Sequence, residues 1–300
     1  MREWLAFIFL GGFAWGASFL WIKIAVQDIS PFALVMYRMG FGAAGAWVLI
    51  RILKIPLSMT RRQFAGTAFV GAFGLALPIS LLSWGETRIS SGLAGILNGT
   101  VPLWTFIIAH FALHDERITR WKSAGLILGF IGLIILVSPD LDTEGLKGNI
   151  WGQLAVVGMA VLYAITSVFT RRYLRDQHPI HTTTIAATTA FFIMLIVAPL
   201  MGGRILPQSA ITWVATVWLG VIGLSLALWA FYHLLNRWGA TRTALVTYVF
   251  PVSAVLLGTV FLNEKITWHL LTGGALIIGG IALVSTRRNV PTVISTEHEA

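Results

Sequence analysis

Apolar residues in this chain are grouped into long uninterrupted runs, near 5–26, 31–52, 64–85, 90–112, 119–138, 150–170, 181–200, 211–235, 241–262 and 267–285. Each is close to the roughly 20 residues that an α-helix needs to cross the hydrocarbon of a bilayer. Polar and charged residues are confined mostly to the short connectors. Backbone groups in lipid must be satisfied within one helix or around a closed barrel, and unbroken runs without period-two alternation select helices. The pattern therefore predicts an all-α integral membrane protein with ten transmembrane helices. Short connectors leave no room for a soluble domain on either side, so function is expected inside the bundle. The first run is long and lacks an A-x-A cleavage site, and is read as a retained first helix rather than a signal peptide.

Composition agrees with a bilayer as solvent. Apolar residues make up 57% of the chain and Asp, Glu, Lys and Arg only 11%, far below the roughly 25% charged of an average soluble domain. The net charge of +9 does not point to nucleic acid, because the positive residues punctuate apolar runs instead of clustering with aromatics on one face. Their placement is directional. With the N-terminus inside, fifteen Lys and Arg fall in cytoplasmic segments, five (Lys23, Arg88, Lys147, Arg204, Lys265) fall outside, and Arg38 lies within a helix. The positive-inside rule then places both termini in the cytoplasm. There are no cysteines, so thiolate metal sites and thiol nucleophiles are absent. No metal or cofactor motif is found.

The chain repeats itself. Residues 96–138 align with 245–285 with one gap, so that Pro102 meets Pro251, Glu116 meets Glu264, Thr119 meets Thr267, Gly125 meets Gly273 and Gly132 meets Gly280. Two units follow, residues 1–139 and 148–288, with a short cytoplasmic tail at 289–300. Five helices per unit is an odd number, so the second unit enters the membrane from the opposite side. Such inverted repeats are a common plan of secondary transporters, whose halves rock about a midplane site. A channel can share this plan and is the nearer alternative. An intramembrane enzyme such as an acyltransferase is the more distant one, resting only on His110 followed five residues later by Asp115.

The stretch "WGASFLWIK" (15–23), Pro31 and Arg38, and the proline-containing fourth run followed by "DERIT", with their second-half echoes, resemble the EamA-like branch of the drug/metabolite transporter superfamily. That resemblance spans about 5–288. It implies a multi-pass carrier of the bacterial inner membrane, usually an exporter of amino acids or related small metabolites, with a central cavity between its halves.

Several residues are candidates for that pathway. Asn98 is a costly buried amide unless it finds a partner, either a substrate or a neighbouring helix. Tyr248 is roughly its counterpart in the repeat. Trp15, Tyr163 and Trp229 lie deep within their runs, where an amphipathic ring needs a polar partner. These aromatics would suit a zwitterion with an apolar side chain. Arg38 needs compensation, from Asp28, Glu86 or helix carbonyls in a structural role, or from a substrate carboxylate in a functional one. Pro102 and Pro251 each remove a backbone hydrogen bond and are candidate gating bends or simple kinks. Glu116 and Glu264 are expected to cap the helices that follow them. The glycines of the fifth and tenth runs should permit close helix packing, within the chain or in a homodimer. The expected partners are thus a small-molecule substrate and the lipid bilayer.

Overall fold

The computed structural model describes residues 2–89, 91–116, 118–138, 149–250 and 268–286. Among these the regular structure is helical. In chain order come α1 (Arg2–Ile8), a π-helical segment π1 (Phe9–Trp15), α2 (Ser18–Ala25), α3 (Pro31–Leu53) and α4 (Arg61–Gly71). A second π segment, π2 (Ala72–Ala76), leads into α5 (Leu77–Glu86), followed by α6 (Ser91–Asn98), α7 (Val101–Ala112) and α8 (Arg120–Val137). The second half contains α9 (Ile150–Tyr173), α10 (Pro179–Met201), α11 (Ala210–Gly220), π3 (Val221–Leu226) and α12 (Ala227–Trp238). It continues with α13 (Ala240–Ala244), a 3₁₀ turn (Leu245–Tyr248) and α14 (Trp268–Thr286).

Five described helices are long and apolar enough to span a membrane: Pro31–Leu53, Arg61–Gly85, Ile150–Tyr173, Pro179–Met201 and Ala210–Trp238. At about 1.5 Å per residue, the 23 residues of α3 reach about 35 Å, enough for a hydrocarbon core of about 30 Å. Large apolar side chains such as Phe111, Ile52, Ile196 and Leu200 are exposed on the outer surface. That arrangement is stable when the surroundings are lipid. The chain is an integral membrane protein.

Side-chain caps fix where the helices begin. Ser30 accepts from Ala33 N ahead of Pro31, Thr60 and Gln63 form a capping box for α4, Thr119 accepts from Lys122 N at α8, and Asn149 starts α9. Each satisfies a backbone donor that a helix start leaves without an intrahelical partner. Hydroxyls inside the apolar helices are absorbed locally: Thr105 donates to Val101 O, Thr184 to Ile180 O and Thr188 to Thr184 O.

The halves interlock. Helix α3 of the first half packs along α10 of the second, and α8 packs along α14. The α8–α14 pair is held at backbone contact by glycines: a Cβ on Gly125 would meet Gly280 O at 2.8 Å, and one on Gly132 would meet Gly273 O at 2.7 Å. The glycine faces anticipated from the sequence thus pack against each other within one chain.

A polar and aromatic cavity at the centre of the bundle

A cavity of about 170 Å³ lies between the halves. Its wall draws on nearly every part of the bundle: Trp15, Ser18 and Ile22; Leu34, Val35 and Arg38 of α3; Gly74 and Leu75 of π2; Ser83 of α5; Asn98 and Val101; Tyr163, Thr166, Ser167 and Thr170 of α9; Leu224, Leu228, Phe231 and Tyr232; and Thr247 and Phe250. Four of the expected pathway residues, Trp15, Arg38, Asn98 and Tyr163, are among them. Aromatic rings form one side, with Trp15 centred 5.6 Å from Phe231 and 5.5 Å from Phe250, and Phe231 5.6 Å from Tyr232.

The wall is shaped by the π segments. A π turn inserts an extra residue into the helix and shifts the backbone ladder. In π3 the carbonyl of Gly223 accepts two side-chain bonds, from Trp15 Nε1 at 3.0 Å and from Arg38 Nη2 at 3.2 Å. Gly223 therefore anchors the aromatic and the cationic residue of the first half to the second half. The segments π2 and π3 occupy equivalent places in the repeat. Each contains the same pattern, "GAFGLAL" at 71–77 and "GVIGLSL" at 220–226, and the glycines Gly74 and Gly223 are 149 residues apart. Their leading glycines make corresponding contacts: a Cβ on Gly71 would strike Ala186 O of α10, and one on Gly220 would strike Phe41 of α3.

Other candidates sit elsewhere. Tyr248 is fully buried, its hydroxyl donates to Leu126 O at 3.3 Å, and its ring covers Gly129. It cements the packing of the second half against α8 and does not line the cavity. Trp229 is half-buried and is also off the wall, although Leu228 and Phe231 beside it are on it. Pro102 sits in the first turn of α7, where a missing N–H costs nothing. The break in this helix falls just upstream, at Gly99 and Thr100, directly after Asn98. Pro251 and Glu264 lie outside the described residues, as does the side chain of Glu86. Asp28 does not compensate Arg38. It instead accepts from Gln208 N at 2.9 Å and Ser209 N at 3.0 Å, with Arg204 at 3.4 Å.

Glu116 also departs from expectation. Thr119 caps the helix that follows it, and the Glu116 carboxylate crosses to the other half, accepting from Ala240 N and from Thr241 N, the latter at 2.8 Å. Nearby, Arg171 bridges Asp115 Oδ2 at 3.0 Å and Asn236 O, and Arg172 donates to Ala112 O at 3.1 Å. The His110–Asp115 spacing does not assemble a catalytic pair, since His110 Nδ1 accepts from Ile118 N at 3.2 Å while Asp115 faces Arg171. Among the described residues, no cluster of His, Cys, Asp and Glu could hold a metal ion.

Sequence reasoning missed Ser18, Ser83, Thr166 and Tyr232 on the wall. The signal for the shape of the cavity was the duplicated G-x-x-G-L-x-L pattern.

Comparison with known proteins agrees with this architecture. An uncharacterized transporter of Archaeoglobus fulgidus is 27% identical over 293 residues, covering 96% of this chain and all of the relative. The uncharacterized inner membrane transporter YedA of Escherichia coli K12 is 27% identical over 280 residues, covering 90% of this chain and 87% of YedA. A solved crystal structure superposes with a TM-score of 0.77 at 21% identity, covering 96% of this chain and 97% of the other, and so shares the fold. The description of the EamA-like transporter family matches twice, over residues 2–138 and again over 150–286. With both halves matched, the chain belongs to the EamA-like transporter family.

Proposed function

We propose that this protein is a secondary carrier that exports small organic metabolites of amino-acid size from the bacterial cytoplasm by alternating access at the central cavity. The observation that carries this reading is the cavity itself, polar and aromatic, lined from both halves of a duplicated helical bundle. Its 170 Å³ falls below the roughly 300–1,000 Å³ of sites for drug-sized ligands, which favours small solutes.

In this reading the two repeats are inverted and together make ten crossings of the inner membrane, with both termini cytoplasmic. The inside excess of Lys and Arg supports that orientation, as does the inner-membrane name of the relative YedA. The Glu116 and Arg171 contacts then form the cytoplasmic closure, and the Asp28 cluster lies at the outer face. Net movement in this reading draws on a solute or ion gradient.

Counterflow in proteoliposomes tests this. Labelled amino acids and related acids should enter with saturation and should be accelerated by the same compound on the opposite side. Asn98→Ala should weaken apparent affinity several-fold. Flux that rises linearly with concentration and ignores the opposite side would contradict a carrier.

A further inference from the structure

The charge of the cavity wall narrows the class of solute. Among the described residues Arg38 is the only Lys or Arg on the wall, and no Asp or Glu lines it. Among the described carboxylates, Asp28, Asp115 and Glu116 are engaged with Ser209, Arg171 and Ala240 respectively, away from Arg38. A guanidinium carries five N–H donors. One of them is used, on Gly223 O, and Nε is buried without a partner. The charge has no counterpart in the repeat either, since the position 149 residues on is the buried Ala187 of α10.

We infer that the cavity selects organic monoanions: a carboxylate on an apolar, preferably aromatic, body, with Arg38 as the residue that determines specificity. Carboxylates accept in parallel from a guanidinium fork, which is why Arg is favoured wherever a planar anion is recognised. The apolar body lies against Trp15, Phe231 and Phe250. A substrate ammonium would stand beside a like charge, with no carboxylate among the described lining residues to receive it. Within the amino-acid size class, the deaminated acids are therefore bound at least as well as the amino acids themselves. The inference rests on the cavity being the transport site.

The test compares four probes that share a phenyl ring on a two-carbon spacer: 3-phenylpropionate, 3-phenylpropionamide, phenethylamine and L-phenylalanine. Binding to purified protein is read from ligand-induced thermal shifts and passage from proteoliposome counterflow. The acid should bind at least about tenfold more tightly than the amide or the amine, one decade of affinity being the scale of a single charge-assisted contact, and no less tightly than phenylalanine. Arg38→Gln should erase the preference, whereas Arg38→Lys should keep part of it. The comparison of acid with amide uses the wild-type chain, so it stands even if an Arg38 variant fails to fold. Equal binding of acid and amide, tighter binding of the amine, or binding of none of the four would overturn the inference. Passage of the amine or phenylalanine without the acid would overturn it while leaving the carrier reading intact. Acid that binds but never crosses would overturn the carrier reading alone.

Discussion

At each end of the bundle, a carboxylate from the first half holds the start of a helix in the second. At one end Asp28 accepts from the backbone of Gln208 and Ser209, just before α11; at the other, Glu116 accepts from Ala240 and Thr241, at the start of α13. Both exploit the same physics, a negative charge on the orphan donors and positive dipole end of a helix. Their surroundings differ. Asp28, its side chain 13% exposed, shares its site with the half-exposed Arg204, whereas Glu116 is only 6% exposed. A screened link opens at little cost; a buried charge keeps its donors or pays heavily for losing them. The Glu116 end is therefore the firmer of the two, and opening it must be coupled to movement of the helices rather than to loosening of one side chain.

The largest predicted effect follows from breaking that firmer link. Glu116→Ala removes two charge-assisted bonds and strands two buried N–H groups, which should cost about 3 kcal/mol, read by chemical unfolding in mixed micelles. Glu116→Gln keeps an acceptor and should cost clearly less. Gly220→Ala and Gly71→Ala come next, each at about 1–3 kcal/mol for overpacking, because the added Cβ meets a neighbouring helix in either half. Similar losses at both would confirm that the two halves use their π segments alike.

Weaker effects belong to the Asp28 link. The backbone N–H of Ser209 first, then that of Gln208 and the contacts with Thr212 and Arg204, hold the Asp28 carboxyl down to about 2 from its ordinary 3.8. A depressed folded-state value means that its contribution is complete above the ordinary value and is lost as pH falls through about 2. Acid unfolding of the wild type should thus show a component between about pH 4 and pH 2 that Asp28→Asn lacks. The smallest effect is expected at Asp115, 55% exposed in its pair with Arg171. Asp115→Asn should change stability by less than about 1 kcal/mol and leave transport intact, whereas lost activity in well-folded protein would revive the enzyme reading.

The apolar runs were legible because a bilayer leaves the backbone few choices; the caps at Ser30, Thr60 and Thr119 are local bonds that the sequence reading did not anticipate. Arg38 stood out as the one firm charge deep within a run, and it lies on the cavity wall. Repeat symmetry suggests a facing position for Tyr248 without saying which side of the helix it occupies; its hydroxyl donates to a carbonyl in α8. Glu116 finds its donors 124 and 125 residues away, a distance at which no local pattern speaks. The π segments were written in the duplicated glycine pattern, but only three-dimensional packing shows that their widened turns border the central cavity.

Alternating access is tested most directly by exploiting the absence of native cysteine. Ser83 and Thr170 both line the cavity, Ser83 three residues from the end of α5 and Thr170 buried near Arg171, at the Glu116 end. In a chain carrying both Ser83→Cys and Thr170→Cys, an impermeant maleimide should reach the first only from outside and the second only from inside. Modification of either should suppress reaction at the other. Simultaneous, independent labelling of both positions would mean a continuous pore and would contradict the account.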